Sequence, residues 1–377
     1  QYACPNIRGE AYTIYTNTPV GGAMRGYGIP QVCFAIESFM DDVANEIHMD
    51  PLEFRRKNLI QGYYEDAYLK PIAANTNGIF ECLEKGAEYI HWDEKRKEYA
   101  EQAGDVRKGV GMALFSYKTG VWPISLEIAG ARLSLNQDGS VQLMLGATEI
   151  GQGADTVFSQ MVAETLHTDM EHVHIKTVQD TDVSPFDTGA YASRQSFVTG
   201  TAVRHCAEIL RDKILAYAKT LLPEIDTREL TLKDNWIWAG DEQAISLAAL
   251  AEESYYSLTN SSVLTAEVSE QVKKNTIATG CCFAEVEVDI KLGKIKILHI
   301  INVHDSGKLL NPQLAEMQVH GGMSMGMGYG ISEQLILDEK TGRPLNGNLL
   351  DYKLMTMLDT PCLLYTSPSP RDPKTSR

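Results

Sequence analysis

The chain has 377 residues, of which 44% are hydrophobic and 22% are charged, a composition typical of a soluble globular protein with two or three domains. The formal net charge of −16 disfavours binding to nucleic acid, because an acidic surface repels phosphate groups. No run of about 18 apolar residues occurs, so the sequence predicts no membrane-spanning helix. The seven cysteines include no Cys-x-x-Cys pair, which favours reduced thiols, a cytoplasmic location and the absence of iron–sulfur clusters or structural zinc from this chain.

The N-terminal region is predicted to be extended before a glycine-rich loop, Gly21–Gln31, opens a helix. Glycine lets a backbone approach a ligand closely, so Arg25 and Tyr27 in this loop are candidates for the wall of a pocket. A glycine-rich loop that merely starts the helix accounts for the same residues equally well. Pro30 suits the first helical turn, and apolar residues follow at helical spacing: Val32, Ile36, Phe39, Met40, Val43 and Ile47.

Further helices come next, and strands follow them. A short helix is predicted over Asp50–Lys57, a loop over residues 62–76, and solvent-exposed helix over residues 78–102. Residues 126–135 and 141–145 have the pattern of strands, and the Asp-Gly turn between them predicts a hairpin.

The segment Gly146–Gly153 joins the second of these strands to a predicted helix, Ala154–His167. A strand that turns through glycines into a helix presents free backbone N–H groups at the helix N-terminus, which suit an anion such as phosphate or pyrophosphate. An ordinary tight turn has the same pattern, because Gly-x-Gly is less than a full dinucleotide-binding motif.

A long polar loop, residues 180–195, separates a predicted strand at 173–178 from a predicted helix at 196–222. Long loops in compact domains are often functional. The loop ends with small residues and hydrogen-bond donors that could face an anionic ligand, namely Ala192, Ser193, Arg194 and Gln195. A lone arginine at a helix start is commonly a surface residue, but the glycine turn upstream favours a binding role.

The C-terminal part is predicted to contain irregular structure, a hairpin and a helix. Residues 223–275 read as irregular apart from one small helix. The hairpin covers residues 282–303, and its alternation predicts one buried face made of Ala284, Val286, Val288 and Ile290. A helix begins after Asn311, and its glycine-rich part is expected to pack closely on another element or on a ligand, because glycine is a poor helix former.

Residues 362–377 differ from the rest of the chain because they are rich in Pro, Ser and Arg and show no periodicity. We predict that they are a non-native tail, translated from vector or adapter sequence, that takes no part in the fold. Since the chain also begins at Gln1 in the middle of a pattern, we expect it to be truncated at both ends.

Three segments together resemble the molybdenum-cofactor domain of the xanthine dehydrogenase and aldehyde oxidase family: Arg25 to Gly28, Gly151-Gln152-Gly153, and Ala192 to Gln195. The resemblance covers residues 1–361 and continues through His304-Asp305-x-Gly307, Asn311-Pro312 and Gln318-Val319-x-Gly321-Gly322. It is closest to the molybdenum-binding subunit of bacterial xanthine dehydrogenases. It implies an α+β fold of mixed sheets with packed helices, in which residues 1–108 and 109–361 are the first and second molybdopterin-binding regions.

The resemblance also implies the residues of a site. In this family the pterin dithiolene holds molybdenum, and the protein supplies no sulfur ligand. Arg25 and Ala192 are expected beside the metal, and Tyr27 against a flat substrate ring. Pterin and phosphate contacts are expected from Gly151, Gln152, Gly153, Ala192, Ser193, Arg194, Gln195 and Gln318. The pterin's form stays open between the mononucleotide and the cytosine dinucleotide, and 2Fe-2S and FAD are expected on two partner subunits.

The activity that the resemblance implies is hydroxylation of xanthine or hypoxanthine with oxygen from water. The family's catalytic base is a glutamate in a Gly-x-Gly-Glu segment beyond Pro361, so the base is unknown here and the chain alone is expected to be inactive. Glu149 and Glu333 are not candidates for it. Aldehydes, nicotinate and other N-heterocycles are alternative substrates, whereas carbon monoxide is less consistent because residues 189–195 lack cysteine. A non-enzymatic cofactor-binding or assembly protein is the alternative class.

Overall fold

The computed structural model describes residues 1–61, 63–65, 71–73, 78–176, 179–226, 229–361 and 363–366. Its helices are α1 (Ile29–Glu46), α2 (Pro51–Asn58), α3 (Ile79–Ile90), α4 (Trp92–Glu98), α5 (Ala154–Leu166), α6 (Gln195–Leu221), α7 (Leu247–Tyr256) and α8 (Pro312–Ile331). Its strands are β1 (Tyr63–Glu65), β2 (Pro71–Ala73), β3 (Val106–Thr119), β4 (Ile128–Leu135), β5 (Val141–Leu145), β6 (Val173–Ile175), β7 (Leu230–Lys233), β8 (Trp236–Ala239), β9 (Glu242–Ser246), β10 (Thr265–Gln271), β11 (Thr276–Asp289), β12 (Lys294–Asp305) and β13 (Leu363–Thr366). Mixed parallel and antiparallel sheets with packed helices confirm the α+β fold class. Within the described ranges, none of the helices is long and apolar enough to cross a membrane.

The chain forms two compact units. The first consists of Gln1–Tyr117 with Ile277–Arg377, and the second is Lys118–Thr276. The first unit is discontinuous in sequence because β11 pairs with β3, so two distant stretches of sequence share one sheet. The division into molybdopterin-binding regions 1–108 and 109–361 concerns cofactor binding and stays a prediction.

The first unit is built on a four-stranded sheet in the order β13–β12–β11–β3. β11 and β12 form the antiparallel hairpin that the sequence predicts. One core cluster joins this sheet to α2, α3 and α4, with Leu83, Trp92 and Phe283 among its buried residues. A smaller cluster places Met323 and Met327 of α8 against Ile300 of β12. The two faces of the sheet thus pack against different helices.

The buried face of β11 is the opposite of the one that its alternation predicts. Cys281, Phe283 and Glu285 are buried, whereas Ile290 is exposed and the other predicted residues are half-buried: Ala284, Val286 and Val288. The cause is the close approach of α3, where a Cβ at Gly86 would lie 2.3 Å from the Phe283 ring. Large apolar residues on both faces of a strand make the alternation ambiguous, and only the packing decides between them.

α1 forms where the sequence predicts it, but of its predicted apolar residues only Met40 is buried. Its buried residues are Glu37, Met40 and Ala44, while the exposed ones include Val32, Ile36, Phe39 and Ile47. Glu37 is accommodated because Arg55 Nε and the Leu114 backbone N–H donate to Oε2 at 2.8 and 2.9 Å, and the Tyr2 hydroxyl donates to Oε1 at 2.8 Å. A fully bonded buried carboxylate thereby fixes α1 to α2 and β3.

The second unit is built on a four-stranded sheet in the order β10–β4–β5–β6. β4 pairs with β10 and β5 in antiparallel fashion, and β5 pairs with β6 in parallel. α5 and α6 pack on this sheet, and α6 contributes Val203, Leu210 and Ile214 to a core that contains Leu133 and Leu143. The predicted hairpin between β4 and β5 and the predicted helices at α5 and α6 are confirmed.

Residues 223–275 contain more regular structure than the sequence predicts. The expected small helix is present as α7, but β7, β8 and β9 also form an antiparallel sheet, and β10 completes the larger sheet. The three strands of the smaller sheet have only four or five residues each, which is too short for a clear alternation. The sequence does not predict β10 because this strand is mostly polar. Of its residues only Ala266 and Val268 are buried.

Two further segments differ from the expectation. The predicted loop at 62–76 contains the antiparallel pair β1 and β2, and the remainder of that loop lies outside the described residues. In the tail, residues 363–366 pair in parallel with β12 instead of lying outside the fold. An open strand edge can accept an extended apolar segment through backbone bonds alone, so this pairing does not depend on the origin of the tail. The non-native origin of residues 362–377 stays a prediction.

Candidate functional site

The glycine-rich loop before α1 holds three consecutive residues in the left-handed backbone region. The φ angles are 92° at Gly26, 42° at Tyr27 and 82° at Gly28. Glycine adopts this region freely, but a tyrosine there costs on the order of 1–3 kcal/mol. The Tyr27 side chain is 69% exposed. A strained backbone that presents an exposed ring is typical of a ligand-facing loop.

Arg25 and Gln318, which the sequence assigns to one site, are in contact in the first unit. Arg25 Nη2 donates to the backbone carbonyl of Gln318 and, at 3.0 Å, to Gln318 Oε1. A Cβ at Gly321 would lie 2.7 Å from Arg25 Nη1, so the glycine leaves room for the guanidinium against α8. The conformation of the loop is therefore coupled to α8 through a charged hydrogen bond.

The turn Gly151–Gly153 lies at the N-terminus of α5 as predicted, but its N–H groups are not free. The Glu149 carboxylate accepts hydrogen bonds from the backbone N–H groups of Gly151 at 2.7 Å, Gly153 at 3.1 Å and Asp155 at 3.0 Å. Burial raises the pKa of Glu149, but these bonds outweigh it and lower the pKa overall. The expectation that this helix end is open to an outside anion is therefore wrong, because Glu149 fills the anion position. The contacts predicted for Gly151 and Gly153 stay predictions.

Two glutamine side chains join the two predicted segments of the second unit. Gln152 Nε2 donates to Gln195 Oε1 at 2.7 Å and to the Thr148 carbonyl at 2.9 Å. Gln195 Nε2 donates to the same carbonyl at 3.2 Å. The structure thus brings the Gly-Gln-Gly turn and the end of the long loop together. Each amide has further donor and acceptor capacity with which to meet a polar ligand.

Ala192 and Ser193 form a second strained segment, at the end of the long loop. Their φ angles are 47° and 51°. Two adjacent non-glycine residues in this region cost on the order of 1–3 kcal/mol each, and such strain persists only where the surrounding structure enforces it. Ser193 is exposed and Ala192 is half-buried. The turn therefore presents a small side chain and a hydroxyl group outward.

Arg194 is neither a surface residue nor a free donor. Its guanidinium is fully buried, with Nε donating to Glu127 Oε2 at 2.5 Å and Nη1 to Asp187 Oδ1 at 2.6 Å. Nη2 donates to the Ile128 carbonyl at 2.7 Å. The interpretation that this guanidinium binds an anionic ligand is therefore wrong, because two protein carboxylates already neutralise it. A backbone contact from Arg194 to the cofactor stays a prediction.

Sequence reasoning missed Glu127 and Asp187, the two partners of this arginine. Asp187 lies in the long loop that the sequence singles out, but nothing distinguishes it there from other acidic residues. Glu127 offered a clearer signal. It stands just before the apolar strand β4, where a carboxylate is buried only if it is paired, so its presence indicates a buried cation nearby.

The described residues contain no group of three His, Cys, Asp or Glu side chains placed to hold a metal ion. The Thr188 hydroxyl is buried without a hydrogen-bond partner among the described residues, and buried polar groups of this kind are normally completed by water or ligand. The Thr188 and Ser193 hydroxyls and the amides of Gln152 and Gln195 are polar groups of the second unit that fit a polar organic cofactor.

Comparison with known proteins identifies such a cofactor. A sequence model described as a molybdopterin cofactor-binding domain matches residues 85–361, and a second model with the same description matches residues 1–59. The chain is 47% identical over 356 residues to the xanthine dehydrogenase molybdenum-binding subunit of Escherichia coli O157:H7, covering 93% of this chain and 47% of that protein. It is 31% identical over 373 residues to a protein of Escherichia coli strain K12 named probable hypoxanthine oxidase XdhD, covering 96% of this chain and 38% of that protein. The chain thus spans about half the length of these curated relatives, or less.

Solved structures show the same fold. The crystal structure of quinoline 2-oxidoreductase from Pseudomonas putida 86 matches with a TM-score of 0.83 at 22% identity, covering 93% of this chain and 46% of that one. A Cu,Mo-CO dehydrogenase matches with a TM-score of 0.79 at 24% identity. At these identities the likeness concerns the fold alone. Because the family models match most of its length, the chain belongs to the molybdopterin cofactor-binding domain family, within the xanthine dehydrogenase and aldehyde oxidase group that its motifs resemble.

Proposed function

We propose that this chain is the cofactor-binding part of a molybdenum hydroxylase that oxidises xanthine or hypoxanthine. The observation that carries the proposal is the 47% identity over 93% of the chain to a protein named as a xanthine dehydrogenase molybdenum-binding subunit. The reaction balances as RH + H₂O → ROH + 2H⁺ + 2e⁻, where a ring carbon of the purine gains oxygen from water. When bound, the molybdenum–pterin group supplies this oxygen transfer and accepts the electrons.

The residues proposed to hold the cofactor contribute mainly backbone and amide groups. In the second unit these are Gly151, Gln152, Gly153, Ala192, Ser193, Arg194 through its backbone, and Gln195. Ala192 is also proposed to lie beside the metal. In the first unit, Gln318 is proposed to contact the pterin and Arg25 to lie beside the metal. The exposed ring of Tyr27 offers a flat apolar surface on which a planar heterocycle can stack.

We assign no catalytic base to this chain. The Glu149 carboxylate is occupied by backbone N–H groups, and Glu333 Oε2 accepts a hydrogen bond from the Tyr352 hydroxyl at 2.8 Å. Neither group is arranged to take a proton from a substrate. The base is therefore expected from other parts of the assembled enzyme, and the chain alone is expected to be inactive.

Electrons are expected to leave through a 2Fe-2S cluster and FAD on two partner subunits, in the cytoplasm. The pterin is expected as the mononucleotide or as the cytosine dinucleotide. The runner-up function is hydroxylation of an aldehyde, nicotinate or another N-heterocycle. For the heterocycles, the Tyr27 ring would accept any flat ring system.

The test is to purify the protein with its partners from its native cells. Molybdenum is measured by elemental analysis, pterin after acid release, and kcat/KM for xanthine, hypoxanthine, nicotinate and an aldehyde with an artificial electron acceptor. We expect bound molybdenum and pterin, with a higher kcat/KM for the purines than for the other substrates. Preference for an aldehyde or nicotinate would establish the runner-up, and cofactor without any turnover would indicate a binding or assembly role. Protein that lacks both molybdenum and pterin would overturn the proposal.

A further inference from the structure

Glu127, Arg194 and Asp187 form a buried ionic cluster in the second unit, and all three side chains are 0% exposed. Each carboxylate makes one short contact with the guanidinium, at 2.5 Å from Glu127 and 2.6 Å from Asp187. Buried charges are costly unless they are paired and hydrogen-bonded, and a partner that is lost leaves an uncompensated charge. Apolar residues of the same volume would avoid the cost of removing three charges from water. We therefore look for a role of the cluster other than packing.

The Glu127 carboxylate is linked to the strained segment by two routes. Its Oε2 binds Arg194, which directly follows Ser193 in the chain. Its Oε1 accepts from the Val121 backbone N–H at 2.5 Å, and the neighbouring Gly120 N–H donates to the Ala192 carbonyl at 2.9 Å. Glu127 therefore holds Ala192 and Ser193 by two routes. One is the Arg194 side chain, and the other is the backbone at Val121 and Gly120.

Asp187 fixes the other end of the loop. Its Oδ1 accepts from the Gly189 backbone N–H at 2.8 Å in addition to Arg194, and its Oδ2 accepts from the Thr199 hydroxyl at 2.7 Å. The Gly189 carbonyl in turn accepts from Arg194 Nη1 at 3.0 Å. Thr199 lies on α6, so the loop is tied to a helix that is packed into the core. These hydrogen bonds thereby close the backbone between Gly189 and Arg194 into a small ring.

We propose that Glu127, Arg194 and Asp187 are positioning residues that hold Ala192 and Ser193 in the left-handed conformation used for cofactor binding. The inference rests on the proposed function, because that function assigns Ala192 and Ser193 to the cofactor. Two adjacent strained residues persist only if their surroundings over-determine them, and this cluster provides such surroundings. Arg194 thus acts on the cofactor through the loop, since its guanidinium faces its own carboxylates.

The test compares Glu127→Gln and Asp187→Asn with a matched control, Glu267→Gln, in the protein purified with its partners. Glu267 pairs with Arg132 at 2.9 Å on the exposed surface of the same unit, so the control loses the same kind of pair without touching the loop. We expect both cluster variants to speed amide hydrogen exchange across residues 188–194 by about tenfold or more, with exchange in α6 unchanged. Their molybdenum and pterin content falls in parallel, and the control changes neither property.

A milder variant keeps the test decisive if the cluster variants fail to fold. Thr199→Val removes only the hydroxyl that donates to Asp187 and retains the shape of the side chain. We expect it to speed exchange in the loop more than in the core of α6. The proposal is overturned if folded cluster variants exchange at the wild-type rate across the loop, or if Thr199→Val affects α6 as much as the loop. Failure of the proposed function has another signature: the wild-type protein contains no molybdenum or pterin, while loop exchange still responds to Glu127→Gln.

Discussion

Tyr27 combines a strained backbone with an exposed ring, and the two properties can be separated by substitution. Stacking of an aromatic ring on a planar purine is worth about 0.5–1.5 kcal/mol beyond area burial, and about 1.4 kcal/mol corresponds to tenfold in rate. We therefore expect Tyr27→Ala to lower kcat/KM for xanthine by about tenfold or more in the assembled enzyme, and Tyr27→Phe to retain most of it.

Tyr27→Gly is the matched control for the backbone, because glycine accepts the observed φ of 42° without strain. This variant is expected to raise the melting temperature while losing kcat/KM to the same extent as the alanine variant. Wild-type turnover of xanthine by Tyr27→Ala with a normal cofactor content would make Tyr27 a structural residue of the loop.

Glu285 gives the first unit a defined sensitivity to acid. Burial raises the pKa of Glu285, but hydrogen bonds from Lys95, Tyr99 and His299 outweigh it and lower the pKa from 4.5 to about 2. Because the folded-state pKa lies below the unfolded one, the stabilisation is fully present above about pH 5 and is lost as the pH falls towards 2. Glu285→Gln is therefore expected to reduce the free energy of unfolding by roughly 3 kcal/mol at pH 7 and by little near pH 2.

Urea unfolding of the wild type and of Glu285→Gln between pH 7 and 2 measures this difference. Glu287→Gln is a control on the same strand, since that carboxylate is only half-buried. A difference between wild type and Glu285→Gln that stays constant over the whole pH range would contradict the assignment of the low pKa to Glu285.

At the scale of elements, the sequence located the helices well because their signals are local. Asn311 caps α8 by accepting a hydrogen bond from the Leu314 backbone N–H at 3.0 Å, as its place before a proline predicts. α1 was located correctly, but its buried face was not. The buried face contains Glu37, which pairs with Arg55 on another helix. The spacing of apolar residues carries no information about such a pair.

At the candidate site, too, the sequence predicted what depends on local signals and missed what depends on distant residues. The short motifs predicted which segments of the second unit meet, and Gln152 and Gln195 are indeed in contact. The motifs could not predict that Glu149 would occupy the helix N-terminus or that Arg194 would face inward. The second outcome depends on Glu127, which is 67 residues away in sequence and adjacent only in the fold. Local patterns thus predicted the contact between two segments, but not the buried carboxylates that pair with Arg194.

At the scale of the whole molecule, the first compact unit is discontinuous in sequence. The pairing of β3 with β11 places a contiguous segment, Lys118–Thr276, between two parts of one unit. Pairings between strands so distant in sequence leave no local signature, so the sequence alone could not predict this discontinuous unit. The core of the second unit, in contrast, is drawn entirely from within its own segment.

We therefore expect the fragment 118–276 to fold by itself. It contains both sheets and all helices of the second unit together with their complete buried core, and a contiguous segment with its own core can fold alone. The fragment 109–361 is the informative comparison, because it retains β11 and β12 but lacks α2, α3 and α4, which cover one face of their sheet. Circular dichroism, urea unfolding and binding of a hydrophobic dye are expected to show one cooperative transition without dye binding for 118–276, and dye binding with a broad transition for 109–361. A broad, dye-binding transition for 118–276 would mean that its core depends on the remainder of the chain, and the division into two units would then describe packing without independent stability.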